Sequence, residues 1–305
     1  MASAAPAKAG GLGGGIATGA GTDRRWALLA AWVAVLLASD VAAIVSELHG
    51  HELPTWNALA RAAVIVGLAV TIPRAARPSH ARGFMLALAA MTVGGWIVAV
   101  IQGQVHWFAV APRAQGMLAR VFVNLIPAAL MASTLVGSDL SRRDLFLARG
   151  DPRAPTSLPL VRGAPWSVIG PVLLAVTSVV LVVQLAIVSH AAQYFRPAVL
   201  VWGLPAALLF AVVNASWEEF CFRCVLLARG ARAFGPGQAV AASSLLFGLA
   251  HYGGHPSGLS GVAMATFFAW IVARSMLDTR GWTWAWLLHV AQDVIIFLMV
   301  LMTGV

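Results

Sequence analysis

Long apolar runs, broken by short stretches rich in arginine, glycine and proline, set the pattern of this chain. Nine segments qualify as membrane-crossing helices: 25–46, 57–73, 84–103, 117–137, 166–189, 197–230, 237–252, 259–277 and 281–303. Each approaches or exceeds the length of about 20 apolar residues that a spanning helix needs. Segments 57–73 and 237–252 are short for the task, whereas 197–230 is long enough to tilt or to kink at Pro205. The expected fold class is therefore all-α: a polytopic transmembrane helix bundle of about nine spans, without an internal repeat.

The connections divide the chain. Residues 1–22 are Gly/Ala-rich and aperiodic and read as a disordered tail. Arg24–Arg25 ahead of an apolar run suggests a twin-arginine signal, but the run is too long and many spans follow, so a retained first helix is expected. Residues 23–137 would form a four-helix membrane segment and residues 138–165 a basic cytoplasmic loop. Within that loop "RRDLFLARG" reads as a short amphipathic surface helix. Residues 166–305 would form a five-helix membrane domain.

Composition sharpens this picture. The chain is 60% hydrophobic and only 10% charged, with a mean hydropathy of +0.84. A soluble domain carries about 25% charged residues. The net charge of +9 would suggest nucleic acid in a soluble protein, but no basic stretch is interleaved with aromatic stacking residues, so no nucleic-acid partner is expected. The basic residues instead fall into alternate connections. With the N-terminus in the cytoplasm, only Arg61, Arg113, Arg120 and Arg196 lie on the outer side. The implied location is a bacterial-type inner (plasma) membrane, multi-pass, with the lipid bilayer as first partner. Cys221 and Cys224, the only cysteines, form a C-x-x-C inside an apolar helix. That position suits buried filler better than redox chemistry, which needs an exposed helix N-terminus.

Ionisable residues inside a membrane segment are costly and mark function. Most lie in the last third. Glu218, Glu219 and Arg223 sit in "NASWEEFCFR", Phe247 and His251 in "LLFGLAHYG", His289 and Asp293 in "LLHVAQDVII". Glu219 and Arg223 are four apart and can pair. Glu218 lies on a neighbouring face, in register with Asn214 and Phe222. Counted from the inner ends of their helices, Glu218, His251 and Asp293 lie roughly 18–21 Å deep and His289 roughly 12 Å. A glutamate, two histidines and a further acid at one level suit hydrolysis, with a carboxylate taking a proton from attacking water.

"EEFCFR", "FGLAH" and "HVAQD" follow E-E-x-x-x-R, F-x-x-x-H and H-x-x-x-[ND] in order. The last third of the chain, about residues 197–303, thereby resembles the CPBP family of intramembrane proteases, the CAAX proteases and bacteriocin-processing enzymes. The resemblance implies an intramembrane endopeptidase acting on a peptide or membrane-protein substrate. It implies Glu218 as the base that activates water, His251 as its partner in orienting that water, and His289 with Asp293 as an oxyanion pair. Glu219, Arg223 and Phe247 would support them. Asp293 stands where the eukaryotic enzymes of this kind have Asn. An ionised Asp donates no hydrogen bond, so its expected task is to hold the tautomer of His289.

Blander readings stand beside these. Glu218 could simply pair with Arg223, and His251 could end a helix. Asp40, Asn124 and Gln184 read as inter-helix hydrogen bonds, and His255 as an outer-turn residue. The sequon at Asn214 lies within a span. Glu218, His251 and His289 are also a normal zinc set, but no H-E-x-x-H occurs. A metal-free site without cofactor is favoured, with zinc as the alternative. Two other functions compete with proteolysis: a non-catalytic scaffold or bacteriocin-immunity-like protein, and a proton-coupled transporter. Transporters usually show repeated halves with interrupted helices, and neither is visible here. Nothing in the sequence signals a prenyl-binding groove or an oligomeric state.

Overall fold

The computed structural model describes residues 17–72, 76–188 and 196–303. Among them the fold is all-helical, with one isolated bridge between Pro155 and Pro165 and no strand. The helices are α1 (Ala17–Ala38), α2 (Val41–Leu48), α3 (Asn57–Thr71), α4 (Ala76–Gln104), α5 (Trp107–Val110), α6 (Arg113–Val123) and α7 (Leu125–Ser133). There follow α8 (Trp166–Val188), α9 (Pro197–Glu219), a π-helix (Phe220–Leu227), α10 (Ala228–Phe234), α11 (Pro236–Ala250), α12 (Gly258–Thr279) and α13 (Thr283–Thr303). By length and composition six continuous helical segments can cross a membrane, or seven if the bent α1–α2 pair is one span. The apolar helices α3 and α11 are shorter.

Several expectations need revision. Residues 17–22 belong to α1, so the tail is shorter than 1–22; residues 1–16 lie outside the described region. The first span is broken by 50° between α1 and α2. Asp40 stands at that break. The carbonyls of Leu37 and Ser39, freed by the break, each accept a hydrogen bond of 2.8 Å from Arg61 Nη1. An arginine on α3 thus satisfies backbone groups that lipid could not. The long sixth segment continues through Pro205 and departs from α geometry only at 220–227.

"RRDLFLARG" forms turns, not a helix. Phe146 takes a left-handed conformation (φ 55°) and the run stops there. Leu145 and Phe146 turn inward and are buried, which a surface helix would not allow. Asp144 closes the turn by accepting from the Ser141 hydroxyl (2.7 Å) and backbone (2.9 Å). Those bonds, with Arg232 at 2.6 Å, draw its carboxyl down to about 2. The connection is pinned further on: Asp278 accepts from Ser157 N (2.8 Å), Ser157 Oγ (3.1 Å) and Trp166 Nε1 (3.1 Å).

The site is positioned by three close packings, α9 on α13, α11 on α12, and α3 on α4. Small residues permit them. Gly248 of α11 faces Thr266 and the Val262 carbonyl of α12 so closely that a Cβ would collide with both. One core cluster joins Ala27, Ala30, Ala31 and Ala34 of α1, Phe84 and Leu88 of α4, and Phe222 and Leu226 of the π-helix. The early helices therefore pack directly on the segment that carries the acidic motif.

Candidate active site

Glu218 and Glu219 end α9, and the π-helix begins at the next residue. Its wider turn is visible in the bond from Ala228 N–H to Arg223 O, five residues back. Such bulges occur where a helix must re-aim side chains, often at functional sites. No residue pattern signals it, because an apolar run looks the same in either geometry.

Glu219 and Arg223 pair as the spacing expects, at 3.2 Å, with no exposed surface on either side chain. The Arg223 guanidinium also lies over the Phe247 ring, 4.3 Å from its centre. Glu219 has a second partner: His289 Nδ1–H donates to its Oε1 at 2.7 Å. The other ring nitrogen, Nε2, faces Glu218 Oε2 at 3.3 Å and Asp293 Oδ2 at 3.8 Å. His289 thus stands among three carboxylates from two helices.

The Nδ1 side of His289 is thus taken by Glu219, while Asp293 lies on the Nε2 side at 3.8 Å, beyond hydrogen-bond range. Asp293 has its own anchor, accepting from Asn214 Nδ2 at 3.1 Å. Asn214 is held by Trp217, whose Nε1 donates to Asn214 Oδ1 at 3.1 Å. The one signal that could have found Asn214 was its register four residues before Glu218. Gln292, also unanticipated, donates to Thr177 Oγ1 and Ser178 Oγ at 3.2 Å each and ties α13 to α8.

His251 caps α11 and its Nδ1–H donates to Phe247 O at 2.8 Å. In the neutral ring this leaves Nε2 as an acceptor. Phe247 lies between the imidazoles, 4.3 Å from the His251 ring centre and 5.7 Å from that of His289. It is part of the wall rather than a reacting group. His251, His289, Gln292 and Asp293 line one cavity of about 200 Å³, otherwise walled by apolar residues such as Phe268 and Ile271. His255 lines it as well and is bonded to Arg113, whose Nη2 lies 2.8 Å from His255 Nε2.

The two glutamates differ in freedom. Glu219 is fully buried and meets two basic partners through Oε1, whereas Glu218 is 9% exposed and meets one, His289; the Oε2 of each accepts no hydrogen bond. Among the described residues no three His, Cys, Asp or Glu side chains are spaced to hold a metal ion. Cys221 and Cys224 are buried and unbridged, as filler residues would be.

A helical membrane bundle with an acid–imidazole centre where α9, α11 and α13 meet defines the class. Residues 200–295 match the family model for the Rce1-like proteins, described as type II CAAX prenyl endopeptidase Rce1-like. The matched stretch is about a third of the chain and contains all three motifs, so the resemblance read from them holds. No curated protein and no solved structure matches the chain.

Proposed function

We propose that the protein is a membrane-embedded endopeptidase in which Glu218 is the general base. The observation that carries this reading is the contrast between the two acids: Glu219 Oε1 meets both Arg223 and His289 in a side chain with no exposed surface, while Glu218 is 9% exposed and faces His289 Nε2 alone, at the looser distance of 3.3 Å. Glu218 takes a proton from water as the water oxygen bonds to the peptide carbonyl carbon. His251 Nε2 accepts a hydrogen bond from that water and orients it. His289, held at Nδ1–H by Glu219 and flanked on the Nε2 side by Glu218 and Asp293, acts as an imidazolium, and its Nε2–H donates to the oxygen on which charge develops. Collapse of the tetrahedral intermediate breaks the C–N bond, and Glu218 returns its proton to the leaving amine. Asp293, fixed by Asn214, keeps the acidic side of the ring in register.

No metal or other cofactor is needed in this scheme. The bundle is read as nine spans, counting α3 and α11, in the inner membrane with the N-terminus in the cytoplasm; the arginine distribution supports that orientation. The apolar walls of the cavity suit a substrate segment with an apolar group next to the scissile bond.

The test uses purified full-length protein and two peptides, a farnesylated C-terminal CAAX peptide and an unmodified membrane-spanning peptide. Cleavage of either by the wild type should fall by about 10³-fold or more in Glu218→Gln, the loss typical of a removed proton-transfer group and its charge. Retained cleavage in that variant eliminates Glu218 as base. Activity that a chelator abolishes and zinc alone restores overturns the metal-free scheme.

A further inference from the structure

A second cavity lies away from the acid–imidazole centre, near the starts of α4 and α10 and the end of α7. It has a volume of about 500 Å³ and is lined by His80, Arg82, Gly83, Thr134, Asp139 and Arg229, among others. Three membrane-crossing segments, His80–Gln104, Arg113–Ser133 and Pro197–Phe234, have an end at this level. The cavity therefore sits at the boundary between hydrocarbon and water.

Its charges are unbalanced. Arg229 is 4% exposed. Its Nη2 donates to Thr134 O at 2.6 Å, but its Nε is buried without a hydrogen-bond partner. Asp139, the single carboxylate among the lining residues, is already engaged by Arg232 at 3.4 Å and His80 at 3.6 Å. Among the described residues no carboxylate pairs with Arg82 or Arg229. A buried guanidinium with an unpartnered donor and only the already shared charge of Asp139 nearby is costly unless a further anion joins it. The room for Arg229 comes from Gly83, where a Cβ would collide with the guanidinium.

We infer that this cavity is a binding site for a phosphate-bearing anion, with Arg82 and Arg229 as its clamp. Guanidinium groups match phosphate oxygens in geometry and charge. Basic pockets between helices at a membrane boundary suit anionic lipid headgroups. The site joins α4 and α7 to α10, so a bound headgroup would bridge the early and late helices. The inference rests on membrane embedding and not on proteolysis.

The full-length protein in a neutral maltoside detergent, stripped of lipid, is the material for the test. Native mass spectrometry and thermal unfolding are followed while phosphatidylglycerol, phosphatidylcholine or inorganic phosphate is added. Phosphatidylglycerol should be retained in preference to phosphatidylcholine and should raise the Tm. Arg82→Gln, at a half-buried position where folding is not at stake, should weaken that binding about fivefold, the share of one arginine near an anionic headgroup. Arg82→Lys should keep most of it. A comparable Tm rise with inorganic phosphate would identify a free anion as the ligand. A rise with phosphatidylglycerol alone would identify the lipid. Equal binding of both lipids with no phosphate effect, or unchanged binding in Arg82→Gln, overturns the inference.

Discussion

Two neighbouring carboxylates do different work because each meets a different partner. Glu219 closes a fully buried relay from Arg223 to His289 Nδ1, and Glu218, 9% exposed, faces His289 Nε2 alone at 3.3 Å. Their substitutions should therefore separate. Removing one member of a buried ion pair leaves the other charge without compensation and costs about 3–5 kcal/mol. Glu219→Gln keeps a polar carbonyl but loses that charge, so a clear drop in Tm is expected beside any loss of activity. Glu218→Gln gives up only the looser contact to His289 Nε2, 3.3 Å, and should unfold closer to the wild-type temperature while losing cleavage. Thermal unfolding of both purified variants checks this, and a reversed order of the Tm values would exchange the structural and chemical roles of the two acids.

The elements show how far the sequence could be read. The helical segments were legible because apolar length alone decides them in a membrane, and four-residue spacing correctly paired Glu219 with Arg223. The π-helix, the break at Asp40 and the turns at Arg142–Phe146 were not, because each depends on a partner remote in sequence or on a backbone angle. The same holds for His289. Spacing suggests Asp293 as its orienting acid, yet the close packing of α9 on α13 brings Glu219 to Nδ1 first. Element geometry also makes a prediction at Gly248. Its α-carbon face touches α12, and a methyl group there meets both Thr266 Oγ1 and the Val262 carbonyl. Gly248→Ala should force α11 from α12, cost about 1–3 kcal/mol, and displace His251 three residues on. Cleavage should fall while substrate binding changes less. Trimming the side-chain obstacle with Thr266→Ala should restore little, because the backbone carbonyl remains.

At the scale of the whole molecule, the helices outside the family match are part of the same packing unit as the site. Between helices in lipid there is little hydrophobic drive, so close van der Waals contact has to hold them. The alanines of α1 supply it: Ala30, Ala31 and Ala34 are essentially without exposed surface and share a cluster with Phe84, Leu88, Phe222 and Leu226. Gly94 of α4 likewise meets the backbone of Pro127 at a distance no side chain would tolerate. Phe222 is in turn in edge contact with Phe247, 5.1 Å between ring centres, and Phe247 carries the stack onto both imidazoles. Overpacking α1 should therefore be felt at the site. Ala34→Leu is expected to cost about 1–3 kcal/mol and to lower cleavage, whereas Leu36→Ala on the exposed face of the same helix should change neither appreciably. Fragments divide the same way. Residues 138–305 expressed alone would leave Phe222, Val225, Leu226 and Leu246 without their partners on α1, α3 and α4, and should be inactive. Co-expression with residues 1–137 should restore cleavage if contact is all that the early helices provide. A fragment 138–305 as active as the full chain would mean that the early helices serve something other than support of the site.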